Sequence, residues 1–415
     1  MRVLIVNLGY PPNTVGGAEI LVQSLAKGLV ARGVKTSVFS LSEKGEDWEY
    51  DDSGVHAYFA RAHPMGIALL DPERTLAQKL LWHALGEINI WTSRKLGAVL
   101  ETERPDIVNT HNLLGLSVSV WSAAAAFGAP VAHTLHDYQL LCPRGTMFRH
   151  GAACPHPCYS CRLLTTRRRW ASAVPSAVIG VSRFILEAHT TQGYFAAARK
   201  AVVPNGYRRS GATEKRSGFE GKGPLRIGFI GRLHPIKGVE LLLDALRQFS
   251  PGSCVAKIAG TGNADYEARL RLLAHGLAVD FMGWVGRDQF YPEIDVLVVP
   301  SIYGEPQGMV VIEAASFGVP VIYSKLGGLG EVGASFPAFR AFDPSQPDGL
   351  VKALRPWVEN PSLARRLKPS IGPVPTPFTL DGLVDGYLRT YAAAIGAAGE
   401  DGAVGMVASN ASGPS

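Results

Sequence analysis

Several signatures are missing from these 415 residues. No stretch interleaves aromatic and basic residues as an RNA-binding surface would, so nucleic acid is set aside as a partner. No Gly-x-Gly-x-x-Gly follows the first strand pattern, which argues against a nicotinamide-dependent dehydrogenase. The opening Met1-Arg-Val-Leu-Ile-Val-Asn7 has the apolar character of a short export signal. It runs into Tyr10-Pro-Pro12 with no small-residue cleavage site, and so reads as a buried first strand. One charge-free stretch, 112–132, reaches membrane-spanning length. It is rich in Ala, Ser and Gly and broken by Gly128 and Pro130, where a spanning helix would be uniformly Leu, Ile, Val or Phe. It reads as a buried helix followed by a strand, and the protein as soluble and cytoplasmic. Cysteine is sparse, with five in all, and four of them fall between positions 142 and 161.

What is present fits a globular protein with large cores: 47% hydrophobic and 18% charged residues. The length exceeds a usual single domain, so two are expected. A formal charge of +6 suits anionic ligands or an anionic membrane surface. Strand-like runs at 3–8, 34–41, 106–109, 130–135 and 177–181 alternate with helical patterns at 18–32 and 76–100. In the first of these helices Leu21, Leu25 and Leu29 fall on one face. Such alternation predicts a parallel, doubly wound sheet. Residues 1–207 form the first predicted domain, and a Gly- and Ser-rich stretch at 208–224 reads as a linker. The alternation restarts in a second domain at 225–377, with strands at 225–230, 255–259, 296–299 and 320–323 and helices at 239–249 and 266–275. A terminal helix follows at 378–395, and the small, polar tail 396–415 reads as disordered.

The most informative stretch is Glu305-Pro-Gln-Gly308-Met309-Val310-Val-Ile-Glu313, leading into a Gly318-Val-Pro320 turn. A helix beginning near Gly308 places Glu305 in the loop before it and Glu313 inside it, with free backbone N–H groups between the two acids. Amides there could hold a phosphate or polar sugar while the acids take hydroxyls, an arrangement that suits a sugar nucleotide. A second motif, Gly228-Phe-Ile-Gly231-Arg232-Leu-His-Pro-Ile-Lys237-Gly238, follows the first strand of the second domain, where ligands of open α/β sheets bind. Arg232 and Lys237 lie five apart across a turn and could converge on one diphosphate; the plainer reading is a solvated loop.

Together Gly-Arg-Leu-x-x-x-Lys-Gly, Glu-x7-Glu and the Gly-x-Pro-Val ending resemble the retaining glycosyltransferases of family 4, which have the GT-B fold. Gly16-Gly17-Ala18-Glu19, His136-Asp137-Tyr-x-Leu-x-Cys142-Pro-Arg, Val203-Pro-Asn-Gly206, Gly283-Trp-Val and Asp295-Val-x-Val-x-Pro300-Ser301 extend the resemblance over roughly 1–390. It implies two Rossmann-like, doubly wound parallel-sheet domains facing across a cleft, with the terminal helix returning to the first. It also implies transfer of a hexose-type sugar from a UDP- or GDP-linked donor to a glycan or lipid-linked acceptor hydroxyl, with retention, in surface polysaccharide or glycoconjugate assembly. Arg232 and Lys237 would neutralise the donor diphosphate. Glu305 would hold hydroxyls of the transferred sugar and Glu313 those of the ribose. The amides of Gly308, Met309 and Val310 would line sugar and phosphates, and Gly16 and Gly17 would bring backbone close to the diphosphate. His136 resembles the histidine that faces the reacting sugar. His133, three positions upstream, points to the other face of the pleat, and His111 is a third, less favoured candidate. Cationic stabilisation of a leaving diphosphate needs no protein nucleophile, and no Asp-x-Asp metal signature is present, so catalysis is expected without a cofactor.

Two clusters keep two readings each. Cys142, Cys154, Cys158 and Cys161 could form a structural zinc site or remain four reduced thiols in a Pro-crowded insertion; Cys254 reads as core. Arg162 and Arg167-Arg-Arg169-Trp170 form either a solvated helix face or a contact for anionic lipid headgroups, placing the enzyme peripherally at the inner face of the membrane. A sugar-nucleotide epimerase of the same fold, or a non-catalytic sugar-nucleotide-binding protein, are the rival functions.

Overall fold

The computed structural model describes residues 1–13, 16–42, 44–61, 89–208, 223–367, 371 and 373–409. The chain forms two compact units. The first holds the residues up to Gly145, Pro157–Gly206 and the C-terminal segment from Leu380; the second holds Thr146–His156 and Tyr207–Thr379. Division of the chain is therefore not at a single boundary: residues 146–156, expected in the first domain, group with the second. The strands in chain order are β1 (Arg2–Val6), β2 (Lys35–Ser42), β3 (Trp48–Asp51), β4 (His56–Arg61), β5 (Ile107–Thr110), β6 (Val131–Leu135), β7 (Phe148–Arg149), β8 (Ala152–Ala153), β9 (Ala177–Gly180), β10 (Arg199–Val202), β11 (Leu225–Ile230), β12 (Cys254–Ala259), β13 (Val279–Gly283), β14 (Val296–Val299), β15 (Val321–Ser324) and β16 (Arg340–Phe342).

In the first unit eight strands run β10-β9-β6-β5-β1-β2-β4-β3, with only β3 antiparallel to its neighbour. In the second, six parallel strands run β13-β12-β11-β14-β15-β16. Strands β5, β6, β9, β14 and β15 are buried along their whole length, as expected where helices cover both faces of a parallel sheet. Strand order reverses beside β1 in one sheet and beside β11 in the other, and such switch points open crevices at the carboxyl ends of strands. The second unit's core is drawn from Leu225, Ile227, Val296 and Val298 on the sheet and Leu242, Leu243, Leu354 and Trp357 on its helices. Fully buried Asp295 is bracketed by Arg226 at 2.7 Å and Arg365 at 3.0 Å, which ties β11 and β14 to the helix Pro361–Leu367.

The helix Gly17–Ala31 buries Leu21, Leu25 and Leu29 and ends where Gly33, at φ 77°, turns the chain into β2. The C-terminal helix Leu380–Ser409 packs on it: Arg32 pairs with Asp381 and Asp385, and Gly28 permits the close approach of Val384. This helix also reaches the sheet, where Tyr387 bonds Thr134 at 3.1 Å and Tyr391 accepts from Asn109 at 2.7 Å. The helix covers most of the expected 378–395 and continues to Ser409. The helical pattern expected at 76–100 falls mostly outside the described residues, which show its end as the helix Ile90–Glu103. Linker positions 209–222 and tail positions 410–415 also lie outside them. Residues 112–132 contain the helix Ser119–Phe127 and the start of β6. Among the described residues no helix is long and apolar enough to cross a membrane.

Candidate active site

Two loops leave the second sheet side by side at its switch point. One follows β11 and carries Arg232 and Lys237; the other follows β14 and carries Ser301 and Glu305. Gly238, at φ 69°, locks them together, because a Cβ there would stand 1.9 Å from the Pro300 carbonyl oxygen. The Ile302 amide completes the lock by donating to the Ile236 carbonyl at 2.9 Å.

This contact sets Lys237 Nζ 2.9 Å from Glu305 Oε1. The Ser301 hydroxyl donates to the same oxygen. Glu305 is 5% exposed, and among the described residues its Oε2 accepts no hydrogen bond. A buried carboxylate is thus oriented through one oxygen and left open at the other, which suits acceptance from a hydroxyl. Lys237 also lies 5.6 Å from the centre of the Tyr303 ring. Arg232 is exposed on the same loop and, among the described residues, makes no ion pair. His234, between the two cations, is held below the usual imidazole range by partial burial and then by the charges of Arg232 and Lys237. The loop is a place that favours anions.

The helix Met309–Ser316 starts at Gly308, which caps it at φ 93°. The Met309 and Val310 amides precede the first turn's Val311 N–H to Gly308 carbonyl bond of 3.1 Å. They belong to the helix's partly positive N-terminal end. Glu313 is buried within this helix, and both of its oxygens are engaged. Arg287 Nη2 is 2.8 Å from Oε1, and the Tyr291 hydroxyl donates to Oε2 at 3.2 Å. Arg287 in turn lies 5.8 Å from the centre of the Tyr207 ring. Burial, then the Glu313 charge and bond, push the Tyr291 phenol well above its ordinary range, so it stays a donor. Sequence reading missed Ser301, Arg287 and Tyr291 as partners of the two acids. For the last two a signal existed: they lie four apart across a helical turn, on one face.

In the first unit His136 follows the end of β6 and His111 follows β5. They meet at 2.8 Å, His111 Nδ1 to His136 Nε2. Asn109 fixes the protons. Its Oδ1 accepts from Thr134 at 3.3 Å, so its Nδ2 faces His111 Nε2 at 2.9 Å and donates. His111 then carries its proton on Nδ1 and donates to His136, whose own proton must lie on Nδ1. Burial holds His136 neutral, pushed down to about 4, and holds His111 well below its ordinary range. Asp137 is pushed up to about 6 by burial, against the pull of the Gln139 amide and Arg168. His111, His136, Asp137 and Gln139 line one open pocket of this unit. His133 sits instead between Trp121 and Phe195, bonded to Thr110 at 2.8 Å, in the core. Gly16 and Gly17 open the first helix; within their own unit nothing crowds Gly17, so packing there does not demand a glycine.

The cysteines do not gather as one set. Cys161 Sγ lies 3.7 Å from Cys142 Sγ and also bonds Cys158, and burial and both neighbours push its thiol up to about 12. Cys154 stands at the end of the β7–β8 hairpin, its amide bonded to the Met147 carbonyl. Among the described residues no group of three or more His, Cys, Asp or Glu side chains has the arrangement to hold a metal ion. Cys254 is buried in the second core.

Sequence comparison places these features in a family. The family model described as glycosyl transferases group 1 matches residues 212–371, and that for glycosyltransferase family 4 matches 15–210. An uncharacterised 42.6 kDa protein in the cps region of Klebsiella pneumoniae is 28% identical, over 81% of this chain and 88% of that protein. The glycogen synthase of Mycobacterium tuberculosis is 27% identical over 88% of each. The D-inositol 3-phosphate glycosyltransferase of Streptomyces avermitilis is 25% identical over 86% of this chain and 79% of that one. Among solved structures, sucrose-phosphate synthase from Thermosynechococcus elongatus superposes with a TM-score of 0.73 at 20% identity, covering 95% of this chain and 99% of its own. Anabaena Alr3699/HepE in complex with UDP and glucose does so with 0.67 at 19%, covering 95% and 100%. Two matching family models that together span almost all of the chain to residue 371, and a doubly wound sheet in each unit, make this protein a glycosyltransferase of the family 4 type.

Proposed function

We propose that the protein moves a hexose-type sugar from a nucleotide-sugar donor to an acceptor hydroxyl, with retention at the anomeric carbon. The observation that carries this reading is the half-engaged carboxylate of Glu305, held by Lys237 and Ser301 with its Oε2 left for a sugar hydroxyl. In this reading Arg232 and Lys237 take up the charge of the leaving diphosphate, so no divalent ion is required. The amides of Gly308, Met309 and Val310 receive donor oxygens, and Gly16 and Gly17 offer approachable backbone. Glu313 takes the ribose diol, sharing its oxygens with Arg287 and Tyr291. A neutral His136 with its proton on Nδ1 is a hydrogen-bond donor to a sugar hydroxyl, not a base.

The donor is UDP- or GDP-linked; UDP is favoured because Alr3699/HepE was solved with UDP and with UDP-glucose. The acceptor is a glycan or lipid-linked sugar in surface-polysaccharide or glycoconjugate assembly, in keeping with the cps-region relative. Action then takes place in the cytoplasm or peripherally at the inner membrane face. The test is transfer from a panel of nucleotide sugars with chelator present, with the product's anomeric configuration read by NMR. Retention with chelator present is expected; inversion, or a strict need for a divalent ion, contradicts the mechanism.

A further inference from the structure

The helix Tyr159–Ala171 is amphipathic in an inverted sense. Its inward face is small and polar: Thr165 is buried, Cys161 meets Cys142, and Arg168 donates to the Gln139 carbonyl. Its outward face carries large apolar groups, with Tyr159 83%, Leu163 65%, Leu164 57% and Trp170 75% exposed. At 100° per residue Tyr159, Leu163 and Trp170 fall within roughly 40° of arc, a stripe about 16 Å long. Arg167 lies beside this stripe and Arg162 flanks it. The helix has four arginines and no acidic residue. Large side chains so exposed and so aligned are not the scattered apolar residues of an ordinary surface.

We propose that this helix is a docking surface for an anionic membrane, lying in the plane of the interface. Tyr and Trp suit the headgroup level, where a ring meets apolar chains at one end and water at the other. Leucines enter the acyl boundary, and Arg162, Arg167 and Arg169 meet lipid phosphates. Charge decides between occupants. A second copy would bring four more arginines against these and no acid, whereas an anionic bilayer complements every charge the helix presents. Docking deepens the reading of a lipid-linked acceptor and rests on it for its purpose only, since vesicle binding is measured without donor or acceptor.

The experiment is flotation of the full-length protein with phosphatidylcholine vesicles, with and without phosphatidylglycerol. Wild type should bind the anionic vesicles, bind neutral ones about tenfold less, and lose binding as salt is raised. Leu163→Ser/Trp170→Ser and Arg162→Gln/Arg167→Gln should each weaken binding about tenfold or more while staying folded, since all four side chains lie on the exposed side of the helix and the second pair gives up only the Arg162 Nε bond to the Pro157 carbonyl. No binding to anionic vesicles, or binding unchanged by both double variants, overturns the proposal. So does a concentration-dependent dimer that Leu163→Ser/Trp170→Ser abolishes, which would assign the face to a second copy. Nucleotide-sugar binding by the same variants reports on the transferase reading separately.

Discussion

Replacing Lys237 by alanine strips a 5% exposed carboxylate of its one ionic partner among the described residues. At about 3 Å and an effective dielectric of about 20, the pair attracts by roughly 5–6 kcal/mol. Lysine is 24% exposed and keeps part of its hydration, and Ser301 still donates to Glu305. About half of the attraction survives as a net cost, roughly 2–3 kcal/mol. For a unit of this size each kcal/mol lowers the midpoint by about 2–4 °C, so a fall of roughly 4–12 °C is expected. Glu305→Gln keeps the shape and removes the charge, leaving a lysine that is only partly buried, and should cost about 1 kcal/mol. The double variant should be less destabilised than the two singles predict, by about 1–2 kcal/mol. Melting of all four proteins by circular dichroism, paired with transfer assays, closes the cycle. Transfer should fall by about 100-fold or more in either single variant. Additive melting shifts with wild-type transfer rates would refute the claim that the pair is an oriented donor-holding device.

Acid should unfold the first unit early. His111, His133, His136 and His189 are all kept neutral by burial, His136 and His189 down to about 4 and the other two well below their ordinary range. Unfolded, they would take up protons near pH ~6.5. The folded chain binds fewer protons from there down to about 4, so stability is present above that window and drains as pH falls, by up to about 1.4 kcal/mol per unit for each histidine. Asp137, raised to about 6, opposes with a single proton. Urea midpoints at about pH 7 and about pH 5 check the direction. Arg287→Ala should free Glu313, weaken donor binding about tenfold and leave a buried uncompensated charge, read by calorimetry and melting. Gly238→Ala should lose the Lys237–Glu305 contact through the clash with Pro300, giving a folded protein with transfer as low as Lys237→Ala; wild-type activity would refute that role.

The doubly wound sheets were legible because fully buried parallel strands read as apolar runs, and β11 and β14 were placed to the residue. The edge was not. Strand β3 is exposed and carries Glu49 and Asp51, which favour no strand pattern, and β10 begins Arg199-Lys200. Such strands exist because a neighbour supplies the hydrogen bonds, which no local pattern records. In the second unit the residues at strand ends announced themselves by glycine and charge. Their partners did not: Ser301 stood in a motif, but nothing in the sequence tied its hydroxyl to Glu305. His111 was legible only as a strand-end histidine, because its meaning lies in a bond to His136 made across two strands. The terminal helix at 378–395 was legible from its pattern, while the bonds of Tyr387 and Tyr391 that tie it to the first sheet were not.

The central claim is that the second unit holds a nucleotide sugar through Arg232, Lys237 and Glu305. Thermal unfolding in the presence of a panel of UDP-, GDP- and ADP-sugars tests it most directly, since a ligand bound only by the folded state raises the midpoint with its concentration. At least one nucleotide sugar should raise the wild-type midpoint in a concentration-dependent way, and that rise should vanish in Arg232→Ala and shrink in Glu305→Gln. A panel in which no nucleotide sugar shifts the wild type, or in which the shift is undiminished in Arg232→Ala, would contradict the account.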